Sequence, residues 1–457
     1  MKSLATKTAL DTKRAHSILI IGLGQTGLSC ARFLVQQGFD VAIMDTREQP
    51  PSLAILQKEY PEVLVKTGGL DSSLMQQADM IVLSPGVDPR TAEIVAAQEA
   101  GIEIVGDVEL FARYANAPIV AITGSNGKST VTTLLADMAS EAGKMIKVGG
   151  NLGTPSLDLI TEPAPDFYIV ELSSFQLETV STMNAFVSVI LNVSPDHLDR
   201  YDDEKSYQAA KARIFAGDGV MVINQDDDIV SQLADETRNQ IGFSLQASSG
   251  VDFGIVTHEG TSCLAEGSEP LLSTRALKIV GKHNIANALA ALALGSAMAL
   301  PMPAMLSALQ GYSGLPHRCR LVAIQDGVRW FNDSKATNVG ACIAAIEGLA
   351  DEGNIVLIVG GVGKDQDFSA LTSIVEHYVT SVIVFGQDAE LITAVIPKQV
   401  ALYPVSSMQA AVSKAKEIVK QGDNVLLSPA CASFDMFSGY VQRGEMFESY
   451  VLESVND

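Results

Sequence analysis

A chain of 457 residues is longer than one compact core accommodates, so roughly two to four domains are expected. Hydrophobic content of 47% with 18% charged residues marks a globular protein, and a formal charge of −22 argues against a nucleic-acid surface, which needs clustered Lys and Arg. The five cysteines (Cys30, Cys263, Cys319, Cys342, Cys431) are odd in number and scattered, without the close pairs of zinc or redox sites, and read as reduced thiols of a cytoplasmic protein.

Met1 to His16 is polar and basic, so no secretory signal is expected. From Ser17 the sequence reads strand (Ser17 to Ile21), Gly-rich turn (Gly22-Leu23-Gly24-Gln25-Thr26-Gly27), helix (Leu28 to Gln37) and strand (Val41 to Met44), ending at Asp45-Thr46-Arg47. A G-x-G-x-x-G turn with an acidic residue about 20 positions on opens a Rossmann-like unit. The pattern fits a dinucleotide, a nucleotide diphosphate, or a tight turn packed on its own helix. A further strand, Asp79 to Leu83, ends in Ser84-Pro85-Gly86-Val87, and Glu103 to Val105 closes this first domain at residue 106. Ligands of open α/β sheets sit at such strand ends.

The middle segment, residues 107–314, starts with a buried strand that breaks into Thr123-Gly124-Ser125-Asn126-Gly127-Lys128-Ser129-Thr130 and opens onto a helix. This is the layout of a phosphate cradle: turn and helix-start N–H groups face an anion, a Lys reaches the outer phosphates, and a hydroxyl ligates Mg²⁺. The general pattern wants a Gly where Ile122 stands. Downstream come a second Gly-rich turn (Gly149-Gly150-Asn151-Leu152-Gly153), a strand ending at Glu171, and a strand, Phe186 to Leu191, ending in Asn192-Val193-Ser194-Pro195-Asp196-His197-Leu198-Asp199. Glu171 suits either a helix N-terminus or a Mg²⁺ ligand, and His197 either a capped turn or a metal imidazole. Lys211 lies on an amphipathic helix, where a solvated Lys is the default.

Val220 to Lys278 reads as a less regular lobe of short strands with little visible chemistry. Asn284 and Asn287 then share one face of a helix, suited to a base edge or a sugar, or to capping. That helix continues into the most apolar run, Ala288 to Leu300, which is too short to span a bilayer and is expected to be buried. The last third, 315–457, alternates strands and helices again. Strand ends there carry Asn332-Asp333-Ser334-Lys335-Ala336-Thr337-Asn338, Gly360-Gly361-Val362-Gly363-Lys364, and Ser428-Pro429-Ala430-Cys431-Ala432-Ser433-Phe434-Asp435.

The chain resembles the Mur ligases, the ATP-dependent amide-forming enzymes of peptidoglycan precursor synthesis. Thr123 to Thr130 looks like the family's own phosphate loop. His283-Asn284 with Asn287, Leu315-Pro316-His317-Arg318, and Asn332 to Asn338 are similar to family motifs in the same order. Within the family the chain looks most like the members that add D-glutamate to UDP-N-acetylmuramoyl-L-alanine, on Gly22 to Ser29, Glu171 to Glu178, and Leu427 to Asp435. The Asp-Asn-Pro-Arg motif of members that add a diamino acid is not found.

The resemblance implies an α/β protein of three domains: a Rossmann-like N-terminal domain (1–106) for the UDP substrate, a central P-loop-type parallel-sheet domain (107–314) for ATP, and a Rossmann-like C-terminal domain (315–457) for the amino acid. It assigns ATP to Gly124, Ser125, Asn126, Gly127, Lys128, Ser129, Thr130, Asn284, Asn287, Arg318 and Asp333. Two Mg²⁺ sites follow, one on Ser129 and Glu171, the other on His197 and Lys211, the latter carbamylated by CO₂. Lys128, Glu171, His197 and Lys211 are the catalytic group.

The UDP substrate falls to Gln25, Thr26, Asp45, Thr46, Arg47, Ser84, Gly86 and Asn151, and D-glutamate to Thr337, Lys364, Ser433 and Tyr440, where the family usually carries Phe. The implied partners are small molecules, with no nucleic acid and no membrane, and a cytoplasmic monomer is expected. A dinucleotide oxidoreductase would leave Lys128, Glu171 and His197 without work.

Overall fold

The computed structural model describes residues 17–196, 200–246, 251–279, 281–350 and 353–453. His197 lies outside the described residues. Among the described residues the strands form three sheets, taken up in turn along the chain.

The first buried run, Ser17–Ile21 (β1), pairs in parallel with Asp40–Asp45 (β2) on one side and, after Leu64–Thr67 (β3), with Met80–Leu83 (β4) on the other, while Glu103–Gly106 (β5) pairs with β4. The order β3-β2-β1-β4-β5 reverses direction beside β1, which opens a crevice at the carboxyl ends of β1 and β4. Two glycines make the turn there possible. A Cβ on Gly22, at φ 99°, would stand 2.8 Å from Ser84 Cβ, and one on Gly27 would stand 1.9 Å from the Gly22 carbonyl oxygen. Gly24 has open space in front of it, so a ligand can approach the bare backbone. The helix begins at Gln25, three residues before the sequence-based start, because the turn residues themselves take up helical geometry.

The central sheet is built on Ile119–Thr123 (β6), Ile146–Gly150 (β7), Phe167–Glu171 (β8), Val187–Ile190 (β9), Val220–Asn224 (β10), Gln240–Phe243 (β11), Phe253–His258 (β12), Thr261–Glu266 (β13) and Glu269–Ser273 (β14). Its order is β14-β13-β12-β11-β10-β9-β6-β8-β7, parallel as far as β12 and antiparallel beyond. The stretch read as an irregular lobe is therefore a continuation of this sheet. Its strands are short and interrupted by acidic turns, which hid their common plane. The phosphate-loop strand β6 lies inside the sheet, between β9 and β8, so the polar ends of all three converge.

Helix Lys282–Ala297 carries the apolar run. Ala288 to Leu294 have no solvent exposure, and they pack in one core with Leu134, Leu135 and Met138 of helix Lys128–Glu141. Each leucine buried there contributes about 1.5–3 kcal/mol. That packing fixes Asn284 and Asn287 beside the loop: a Cβ on Gly127 would sit 2.4 Å from Asn287 Oδ1. Among the described residues no helix is long and apolar enough to cross a membrane.

The third sheet comprises Arg320–Gln325 (β15), Val328–Asn332 (β16), Ile355–Gly360 (β17), Val379–Phe385 (β18), Ala401–Pro404 (β19) and Asn424–Leu427 (β20), in the order β15-β16-β20-β17-β18-β19. All neighbours are parallel except the β15–β16 pair. Asp333 to Asn338 leave the carboxyl end of β16, and Asn338 bonds to Asn126 and Asp196 of the central domain.

Candidate active site

The phosphate loop runs from the end of β6 into helix Lys128–Glu141, with Gly127 in the left-handed region at φ 84°. Its neighbour strand clamps it. The amide of Asn192, just past β9, accepts from Asn126 N at 2.8 Å and donates to Asn126 O at 3.1 Å. Ser125 Oγ donates to Ser194 O and accepts from Ser194 N, each at 2.9 Å, and shares a further 2.9 Å bond with the Tyr207 hydroxyl. A loop held at both ends is pre-set for a ligand.

Two lysines converge on one carbonyl oxygen. Lys128 Nζ donates to Gly124 O at 2.7 Å and to Ser125 O at 2.9 Å, and Lys211 Nζ donates to the same Gly124 O at 2.9 Å. Lys211 is fully buried in helix Glu204–Ala212, over the Tyr207 ring, which overturns the solvated-lysine default. Burial, then the neighbouring Lys128 cation, drives the Lys211 pKa well below that of a free lysine, with Asp196 and Glu171 opposing. Burial also lowers Lys128, again against Glu171 and Asp196. Desolvation and like charge push the same way at Lys211, and both favour its neutral amine.

Glu171 ends β8 facing this pair. Its Oε1 accepts from Asn151 Nδ2 at 2.7 Å, whereas Oε2 is buried with no hydrogen-bond partner. The Gly149-Gly150 pair is the end of β7 as much as a turn, and a Cβ on Gly150 would meet the Glu171 carbonyl oxygen at 2.3 Å. Just beyond Glu171, a capping box between Ser173 and Gln176 starts the next helix, so Glu171 itself does not cap it.

The C-terminal domain reaches this centre directly. Arg318 Nη2 donates to Ser129 Oγ at 2.7 Å. Asn338 Nδ2 donates to Asp196 Oδ2 at 3.2 Å, and Lys364 Nζ lies 3.6 Å from Asp196 Oδ1. Lys335 stands 4.2 Å over the Tyr440 ring, its pKa lowered to about 8 by burial and then by Arg318 and Lys128. Asp333 is buried, holding Cys319 N at 3.0 Å and Ser428 Oγ at 2.8 Å, and burial raises its pKa to about 7.

These groups line a central cavity of about 730 Å³ that takes in Ser125 to Ser129, Asn151, Glu171, Lys211, Arg318, Thr337 and Tyr440. An adjoining pocket of about 140 Å³ is lined by Thr130, Asn284, Asn287 and Asp333, together with Asn224 and Phe243 from the stretch first read as a lobe without chemistry. A third cavity, of about 720 Å³, lies at the crevice of the first sheet. It gathers Gln25, Thr26, Asp45, Thr46, Arg47, Ser84, Gly86 and Asn151, and it shares Asn151 and Pro85 with the central one.

Asp45 does not present a free carboxylate there. Burial pushes its pKa up, but bonds from Arg47 and Leu23 N outweigh this and bring it to about 2. Two of the residues singled out for the amino acid, Lys364 and Ser433, are not among the residues lining these three cavities. A bridge between Val362 and Ala432 nevertheless sets their loops side by side.

The sequence matches the Mur ligase MurD-like N-terminal domain over residues 16–106, the Mur ligase middle domain over 122–295, and the Mur ligase glutamate ligase domain over 317–431. It is 52% identical over 444 residues to UDP-N-acetylmuramoylalanine–D-glutamate ligase of Nitrosococcus oceani, covering 97% of this chain and 98% of that one. The chain belongs to the Mur ligase family. The Pseudomonas aeruginosa protein of the same name is 48% identical over 440 residues, 96% of this chain and 98% of its own. Among solved structures, UDP-N-acetylmuramate-alanine ligase from Thermotoga maritima shares the fold with a TM-score of 0.59 at 18% identity, over 96% of this chain and 100% of that one.

Mur ligases use ATP and Mg²⁺, and the residues present suit both. Glu171 Oε2 is a buried carboxylate oxygen in want of a cation, and the loop meets phosphate with backbone N–H groups and an ammonium. Among the described residues no group of three His, Cys, Asp or Glu could hold a metal. Asn192, Asp196, Tyr207, Lys335 and Asn338 all line or bond to the site; all but Tyr207 stood in the quoted strand-end motifs, yet none was given a role from sequence. For Asn192 and Asp196 the available signal was a polar side chain directly after a buried strand.

Proposed function

We propose that this protein joins D-glutamate to UDP-N-acetylmuramoyl-L-alanine with conversion of ATP to ADP and phosphate, a step of peptidoglycan precursor synthesis. The observation that carries this reading is near-full-length identity of 48–52% to proteins named for that activity. The convergence of three domains on connected cavities supports it. The division at 106/107 and 314/315 then separates a UDP-sugar domain, an ATP domain and an amino-acid domain, working as a cytoplasmic monomer.

A carboxylate is a poor electrophile. On our reading its oxygen takes the γ-phosphoryl group of ATP, giving an acyl phosphate and ADP. The amine of D-glutamate then attacks the acyl carbon, and phosphate leaves from the tetrahedral intermediate as the amide forms. Charge accumulates on phosphate and carboxylate oxygens in both steps, so positioned cations do most of the catalysis.

Lys128 exchanges the Gly124 and Ser125 carbonyls for phosphate oxygens, and the loop N–H groups orient the β- and γ-phosphates. Arg318 moves from Ser129 Oγ to the phosphates, and Asn284, Asn287 and Asp333 receive adenine and ribose. Mg²⁺, when bound, supplies positive charge to these oxygens; Ser129 and Glu171 would hold one ion, and His197 with Lys211 the other.

Lys211 can serve only as an anion. Its neutral amine is the form that attacks CO₂: an N–C bond forms, the nitrogen loses a proton, and a carbamate oxygen faces the cavity. Lys364 releases Asp196 for a carboxylate of D-glutamate, with Thr337, Ser433 and Tyr440 around the remainder. In the first cavity the open turn at Gly24, the Gln25 and Thr26 side chains, and Arg47 held by Asp45 receive the uridine diphosphate.

Phosphate release with UDP-N-acetylmuramoyl-L-alanine and ATP, measured across D-Glu, L-Glu, L-Lys and diaminopimelate, tests the assignment. Release is expected to require D-Glu, and release that does not would overturn it.

Arg200 gives a second test. Its Nη2 donates to Val87 O at 3.1 Å and Glu178 Oε2 at 2.7 Å, tying the central domain to the wall of the UDP cavity. Loss of such a charged bond is worth about 1.5–3 kcal/mol. Arg200→Ala is accordingly expected to raise KM for the UDP substrate about ten-fold or more with kcat little changed, and an unchanged KM would remove this role.

A further inference from the structure

Lys364 sits at the centre of a tight turn. Gly363 O accepts from Gln366 N at 3.2 Å, and the two residues between them, Lys364 and Asp365, lie in the left-handed region at φ 53° and φ 58°. Two successive positive φ angles are the geometry that Gly and Asn adopt most readily, so a lysine held there needs support from its surroundings. Two side chains give it. Gln366 Nε2 donates to the Gly363 carbonyl at 2.7 Å, and Asp388 Oδ2 accepts from Gly363 N at 2.7 Å.

The Gln366 amide also reaches a second loop. Its Oε1 accepts at 3.0 Å from Val339 N, the first residue of helix Val339–Leu349. Asn338 caps that helix through Ala341 N at 2.8 Å, so Gln366 satisfies a helix-end donor that the cap leaves over. One amide thereby joins the Lys364 turn to the loop of Thr337 and Asn338. The tie from the Lys364 segment to that of Ser433 is made by backbone, Val362 and Ala432 exchanging N–H···O bonds of 2.9 Å in both directions. Residue 366 is thus where side-chain chemistry sets the spacing between the Thr337 and Lys364 loops.

The gap so fixed is one that a carboxylate fits. Asp196 accepts from Asn338 Nδ2 at 3.2 Å on one oxygen, and its other oxygen lies 3.6 Å from Lys364 Nζ. An amide suits the bridging position because it offers a donor to a carbonyl on one loop and an acceptor to an N–H on the other. Being uncharged, it does so without competing with a carboxylate for the Lys364 ammonium.

We propose that Gln366 is a positioning residue for the amino-acid substrate, locking the Lys364 turn against the Thr337-Asn338 loop at the spacing that selects D-glutamate over its shorter and longer homologues. This role rests on D-glutamate being the substrate. Gln366→Met keeps the length of the side chain and removes both bonds. In the full-length protein, with phosphate release followed at varied amino acid, it is expected to raise KM for D-glutamate about ten-fold while kcat stays within about three-fold of wild type. KM for ATP and for UDP-N-acetylmuramoyl-L-alanine should not move. The kcat/KM preference for D-glutamate over D-aspartate and D-α-aminoadipate should narrow, which a loss of stability alone does not produce.

Asp388→Ala frees the same turn from its other side and leaves the bond to Val339 in place. It should shift KM for D-glutamate in the same direction, and it remains informative if Gln366→Met does not fold. An unchanged KM for D-glutamate in either folded variant, or an equal loss across all three substrates, would overturn the role of Gln366 and leave the assigned reaction standing. Wild-type phosphate release that does not need D-glutamate would overturn the assigned reaction, and this role with it.

Discussion

Replacing Lys211 with alanine is expected to reduce turnover by about a thousand-fold or more, the scale associated with removing a positioned group from a charged transition state. The variant removes a side chain that is fully buried and donates to Gly124 O, so it leaves a polar slot beside Glu171 rather than an open surface. A short carboxylic acid such as acetate or propionate can enter that slot and present the two oxygens that a carbamate would have presented. Partial recovery in their presence is therefore expected for Lys211→Ala and not for Lys211→Met, whose side chain fills the slot.

The wild-type enzyme should lose activity in CO₂-depleted buffer and regain it with bicarbonate. Because burial and Lys128 depress the Lys211 pKa, the neutral, CO₂-reactive amine persists to lower pH than a free lysine's and disappears as pH falls through that lowered value. Activity should accordingly fall on the acid side, and a ¹³C carbamate resonance should fall with it. Retention of activity in Lys211→Ala, or a loss that neither acid relieves together with no carbamate resonance in wild type, would remove the carbamate from the mechanism.

Much of the architecture was legible because the strands that matter are buried on both faces. Ser17–Ile21 and Asn424–Leu427 begin and end where the apolar run does, with no polar alternation to blur the limits. The edge strand Leu64–Thr67 was not seen, since its side chains are alternately exposed and half-buried and its four residues hold no apolar run. Likewise the strand Ile146–Gly150 was missed because its last two residues were read as part of a glycine turn, although Gly150 is where the Glu171 backbone approaches closely.

At the site, the phosphate loop and the strand-end acids could be found from local order alone. The state of Lys211 could not. Its helix looks amphipathic, and what buries the ammonium is a carbonyl 87 residues earlier. The bond from Arg318 to Ser129 spans 189 residues and depends on how two domains meet, which no periodicity encodes. The family resemblance supplied roles for Lys211 and Arg318 where local pattern could not, but not the contacts they make.

Lys128→Met is expected to lower kcat by about a thousand-fold, with a smaller rise in KM for ATP, because the ammonium counters charge that grows on the transferring phosphoryl group more than charge already on the ground-state nucleotide. The fold should survive. Among the described residues the ammonium is bound only to the Gly124 and Ser125 carbonyls, and the Asn192 and Ser194 bonds to the loop do not involve it.

The substitution carries a second, distinguishing consequence. Lys128 is one of the two causes lowering the Lys211 pKa, so its removal should raise that pKa and move the acid limb of carbamate formation to higher pH. Lys128→Met should thus need more bicarbonate than wild type for the same ¹³C signal at neutral pH. Lys128→Arg, which keeps the charge, should not, although its kcat also falls because the fork does not fit where a point charge sat. A Lys128→Met enzyme within ten-fold of wild-type kcat would end the assigned role in phosphoryl transfer. An unshifted carbamate titration would show that burial alone, and not the Lys128 charge, sets the state of Lys211.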